Sequence, residues 1–129
     1  MLRLLRQMAQ ANVKPDLYII TPFLIVANRM RQTVRESGVL KDWVDQDNWR
    51  WTSERIGTVH TVQGREAEAV ILVLGAPYPT QTGARNWAGG RPNLLNVTVT
   101  RAKEVIYVIG NRQLWREAGL FRELDKRLS

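Results

Sequence analysis

The segment from Leu94 to Gly110, L-L-N-V-T-V-T-R-A-K-E-V-I-Y-V-I-G, sets a charge directly against a core element. Arg101 closes a stretch punctuated by polar residues. The unbroken apolar run Val105–Ile109 follows and reads as a buried strand or buried helix turn. A charge fixed beside a core is costly unless something requires it there. A rigidly held guanidinium suits a phosphate or carboxylate, which its planar fork grips with two bonds. Working outward, the segment Gly57 to Glu66 reads G-T-V-H-T-V-Q-G-R-E and leads into the apolar stretch Val70–Leu74. Together the two segments point to nucleotide-driven work on nucleic acid.

The rest of the chain alternates apolar strands with amphipathic helices. Met1–Asn12 places Leu2, Leu5, Met8 and Ala9 at helical spacing, with Pro15 beyond its end. Leu17–Ile20 is a short apolar strand. Thr21-Pro22 reads as an N-cap with proline at the first helical position. Phe23, Ala27, Met30 and Val34 then share a face, and Gly38 ends the helix. Residues 39–55 read as irregular and hold Trp43, Trp49 and Trp51. Ile56–His60 is expected to be a strand, Gln63–Glu68 a polar turn, Val70–Leu74 a strand and Gly75–Asn93 a loop. Pro92–Lys103 is expected to be a helix despite its β-branched residues. Asn111 is expected to cap a last helix bearing Leu114, Trp115, Ala118 and Phe121. Strands apolar at every position belong in a parallel sheet covered on both sides. The expectation is one α/β domain over residues 1–129, with right-handed crossovers.

Composition narrows the chemistry. With 44% apolar and 24% charged residues, the 129-residue chain is long enough for a sizeable core. It has no cysteine and one histidine, which excludes disulfides and thiolate chemistry and leaves no protein-only zinc site. Nothing resembles a membrane span or a signal peptide, so an intracellular, cytoplasmic setting is expected. Nineteen Lys and Arg against twelve Asp and Glu give a net charge of +7, which favours a polyanionic partner, nucleic acid first.

Three segments carry a family resemblance. Tyr18-Ile-Ile-Thr-Pro-Phe23 resembles motif IVa of superfamily 1 helicases of the Upf1/Dna2-like branch. Gly57–Glu66 with the strand after it resembles motif V. Leu95–Lys103, with the strand ending at Gly110-Asn111, resembles motif VI. The resemblance implies a three-layer RecA-like domain of the P-loop NTPase type, with a mainly parallel sheet and helices on both faces. It implies that Arg101 is an arginine finger that reaches the γ-phosphate across a cleft. It implies that Glu66 accepts hydrogen bonds from the nucleotide ribose, with Gln63, Gly64 and Arg65 in the same nucleotide-binding turn. Thr58, His60 and Thr61, with Thr21 as a further candidate, would face single-stranded DNA or RNA, bonding phosphate oxygens without reading sequence. Against these stand plainer readings: a surface arginine at a helix end, a polar turn bent by Gly64, and a sheet-end histidine. Trp43, Trp49 and Trp51 could stack bases or anchor a long loop, and Trp87 is open in the same way.

The sequence also lacks things. It contains no G-x-x-x-x-G-K-[ST], no Gly-Lys pair and no Asp-Glu pair. The phosphate cradle and the acids that hold Mg²⁺ would then come from the first RecA-like domain of the same helicase, and ATP with Mg²⁺ would be held mainly there. By this reading the chain is one part of a motor and hydrolyses little ATP alone. The rival readings are a non-catalytic nucleic-acid-binding module of the same fold and a Rossmann oxidoreductase. The second of these lacks its G-x-G-x-x-G.

Overall fold

The computed structural model describes residues 1–45, 47–62, 64–75, 79–89, 100–110 and 114. Four parallel strands, β1 (Leu17–Ile20), β2 (Ile56–Gly57), β3 (Ala67–Val73) and β4 (Ala102–Ile109), form one sheet in the order β2-β1-β3-β4. α1 (Leu2–Gln10) precedes β1, and between the strands run α2 (Leu24–Ser37), α3 (Asn48–Arg55), the short α4 (Val59–Val62) and α5 (Thr82–Gly89), the last entered through a 3-10 turn at Pro79–Gln81.

Strand alternation splits the core in two. Leu17, Ile19, Ala69 and Ile71 point to one face, where Leu5 and Met8 of α1, Met30 and Val34 of α2, and Trp51 of α3 cover them. Tyr18, Ile20, Val70 and Leu72 point to the other, against Val62 of α4 and Ala88 of α5. An irregularity in the ladder between Ala67 and Ala69 moves Ala67 onto the Val70 face. The connection from β1 to β2 runs over the first face. The chain then reverses direction across the sheet to reach β3 and β4, and those connections run over the second face. Changing face when direction reverses keeps every crossover the same hand, as strand twist requires. The expected parallel α/β sheet with helices on both sides is therefore what forms.

Several element boundaries differ from expectation. Thr21-Pro22 does not start α2. Thr21 N–H donates to the Gly57 carbonyl at 2.9 Å and prolongs the β1–β2 ladder, while Phe23 occupies the N-cap. Gly38 does end α2, with φ +73° in the left-handed region. Residues 39–55 are not wholly irregular: α3 lies within them, capped by Asp47, whose side chain accepts from Trp49 N–H. The strand expected over Ile56–His60 stops at Gly57, and Val59–Val62 turns helical. The loop expected from Gly75 contains α5, which packs Ala88 into the core. β3 begins at Ala67, earlier than Val70, and β4 begins at Ala102, so Lys103 is strand and not helix. Among the described residues, β4 is the last strand of the sheet. Val105 and Tyr107 stay exposed while Ile106 and Val108 pack inward. The helix expected after Asn111 lies, apart from Leu114, outside the described residues.

Candidate functional site at two edges of the sheet

Because all four strands run the same way, the sheet has one edge of strand starts and one of strand ends. At roughly 3.3 Å per residue, the seven residues of β3 hold these edges about 20 Å apart. The candidate residues divide between them.

At the edge of strand starts, register brings the two telling segments together. Ala67 pairs with Ala102, so Glu66 and Arg101 each stand one residue ahead of a paired position. Arg101 is half-buried. Its Nη1 donates to the Arg65 carbonyl at 3.2 Å and its Nη2 to Thr100 Oγ1 at 3.4 Å. Its Nε is buried without a hydrogen-bond partner. Arg65 N–H donates to the Val62 carbonyl at 3.0 Å, closing the turn that Gly64 enters at φ +78°. Nothing crowds the missing Cβ of Gly64, so the requirement for glycine there is conformational and not steric. Glu66 is exposed, with Oε2 4.0 Å from Lys103 Nζ. Lys103 was not singled out from sequence. Its position two residues beyond Arg101 in a strand is the signal that marks it, and the expected helix concealed it. Gln63 lies outside the described residues.

At the edge of strand ends stand the other candidates. Thr58 follows β2, half-buried, and its carbonyl accepts from Thr61 N–H at 3.0 Å. His60 is exposed on α4, and Thr61 is half-buried against the chain at Gly57. A Cβ on Gly57 would collide with the Thr61 side chain and meet Arg31 Nη2 at 3.0 Å, so the close approach itself calls for glycine. Thr21 stands apart from these three. It is fully buried, and its Oγ1 has no hydrogen-bond partner. Its hydroxyl is enclosed behind the surface that Thr58 and His60 present.

Among the described residues, Thr21 Oγ1 and Arg101 Nε are the buried side-chain polar atoms without partners, and they lie at opposite edges. Each such group costs on the order of 1–3 kcal/mol. The Arg101 donor suits an anion. A guanidinium bonded to a glycine turn thus stands beside an exposed carboxylate. Among the described residues no group of three or more His, Cys, Asp or Glu gathers to hold a metal.

The tryptophans take separate parts. Trp51 is core, and Trp43 ties its Nε1 to the Val13 carbonyl at 2.7 Å. Both anchor the segment between α2 and β2. Trp49 is 65% exposed. Trp87 stacks on Phe23 with ring centroids 6.2 Å apart.

A parallel sheet layered with helices on both faces is the architecture of a RecA-like domain of the P-loop NTPase type. The sequence profile of a family described as AAA domain matches residues 1–113. The chain belongs to that family, which is helicase-related. No curated protein matches it. Among the described residues, no helix is long and apolar enough to cross a membrane.

Proposed function

We propose that this domain is the second of two RecA-like bodies in an ATP-dependent superfamily 1 helicase or translocase. The observation that carries the reading is the Ala67–Ala102 register, which sets Glu66 and Arg101 side by side. ATP with Mg²⁺ would be held chiefly by the first RecA-like domain, and cleavage of its terminal phosphoanhydride bond by water would drive the cycle. Arg101 leaves two weak neutral acceptors to place its fork against negative charge, an effect worth about 10³–10⁵ in rate in related NTPases. Lys103 and Arg65 raise the local positive potential. Glu66 accepts from ribose hydroxyls, and Gly64, with Gln63 beside it, lets backbone approach the ligand. At the far edge, Thr58, His60 and Thr61 donate to phosphate oxygens of single-stranded DNA or RNA. Thr21 supports that surface from beneath through its backbone bond to Gly57. Because the nucleotide would bridge two bodies and favour their closed arrangement, its turnover alternates the grip on the strand.

The 129-residue chain by itself is expected to bind single strands weakly, with affinity falling steeply as salt rises. It is expected to show no appreciable steady-state ATP hydrolysis. Robust turnover by the purified chain would contradict the proposal.

A further inference from the structure

A groove of about 950 Å³ lies between α2 and α3, away from the edge that carries Arg101. Its floor holds two guanidinium groups, Arg31 and Arg35, one helical turn apart on the same side of α2. Arg31 donates through Nε to the Ile56 carbonyl at 2.7 Å and through Nη1 to Asn28 Oδ1 at 3.2 Å. Arg35 donates through Nε to Thr52 Oγ1 at 2.6 Å and through Nη2 to Ser53 Oγ at 3.1 Å. All four acceptors are neutral. Among the described residues, neither arginine forms an ion pair with a carboxylate. Burial, and then the charge of Arg35, push the Arg31 pKa below its ordinary value. Two carboxylates also line the groove, but both are engaged: Glu36 accepts from Gln32 Nε2 at 3.1 Å, and Asp47 caps α3. Above Arg35 lies the Trp49 ring, 3.5 Å from the guanidinium carbon to its centroid, with most of the residue still open to solvent.

We infer that this groove binds a phosphodiester of single-stranded nucleic acid, the phosphate between Arg31 and Arg35 and a base against Trp49. The two guanidinium groups have only neutral hydrogen-bond acceptors, and an anion that joined both would exchange some of these for charge-assisted bonds. An exposed indole beside them offers a sequence-tolerant stacking surface. Arg31, which lines the groove, also brings its Nη2 beside Gly57, the residue before Thr58, so the groove and that turn share a neighbour. The inference thus rests on the strand-binding reading of that turn and lengthens its track beyond the sheet edge.

The test is fluorescence anisotropy of labelled oligothymidylate with the full chain and with Trp49→Ala, Trp49→Phe, Arg35→Gln, Thr58→Ala and His60→Ala. Loss of one stacked base at Trp49→Ala is expected to weaken binding about tenfold. Trp49→Phe should recover most of it, and Arg35→Gln should lower the salt slope by about one. Weakening by Thr58→Ala and His60→Ala with none from the Trp49 and Arg35 variants overturns the groove and leaves the edge reading intact. The reverse pattern supports the groove and removes the edge. No binding by the unaltered chain at low salt overturns both. Photocrosslinking of a bromouridine-substituted oligonucleotide to the unaltered chain gives a readout independent of variant folding. Adducts are expected on α3, resistant to inorganic phosphate at matched ionic strength. Adducts confined elsewhere, or abolished by phosphate alone, overturn the strand assignment.

Discussion

Arg101 holds its guanidinium on a backbone carbonyl and a hydroxyl, and neither acceptor repays a charge well. Its buried Nε gains nothing from the fold. Removing the side chain should therefore cost little stability. Arg101→Ala is expected to shift the unfolding free energy by less than about 1 kcal/mol in denaturant melts. A loss of several kcal/mol would make the residue a structural one. The tryptophans give a contrast at the same scale. Trp51 is 2% exposed and fills the layer between α2, α3 and the sheet. Trp51→Ala should cost about 3–5 kcal/mol. Trp49→Ala, which forfeits mainly the contact with Arg35, should cost under about 1 kcal/mol. Equal losses for the two would undo this division of roles. Sequence could not separate them, because an indole near a helix reads the same whether its neighbours cover it or not.

Among the elements, the central strands and the helices α1 and α2 were legible, and α3, α4 and α5 were not. Leu17–Ile20 and Val70–Leu72 are apolar at every position, and the structure buries them on both faces. Val105–Ile109 carries the same pattern but pairs only with β3 among the described residues and leaves Val105 and Tyr107 exposed, since a run of apolar residues does not state how many neighbours its strand will have. The helix α3, N-W-R-W-T-S-E-R, lacks apolar periodicity and is held by its Asp47 cap, Trp51 and the bonds from Arg35. The helix α5 contains two glycines and read as loop, yet tertiary packing through Ala88 holds it. The short β2 ends because Gly57 lets the chain fold Thr61 back onto it. Gly57→Ala should cost about 1–3 kcal/mol by overpacking and should disturb the Thr58–Thr61 turn. Unchanged thermal stability in that variant would show that the close approach is not needed.

In the whole molecule, one sheet separates two groups of polar side chains. Strand starts gather Arg65, Glu66, Arg101 and Lys103, and strand ends present Thr58, His60 and Thr61. Sequence names candidates at both edges. That Glu66 and Arg101 stand abreast was not, because register belongs to the ladder and not to either segment. By the proposed reading, such a layout would let a nucleotide at one edge and a strand at the other act on one body. The direct measurement is single-turnover ATP hydrolysis, alongside nucleotide affinity, in the enzyme that unites this domain with a phosphate-cradle domain. Arg101→Ala is expected to slow hydrolysis by about 10³-fold or more while affinity changes only a few-fold. Hydrolysis at the unaltered rate in that variant would contradict the account.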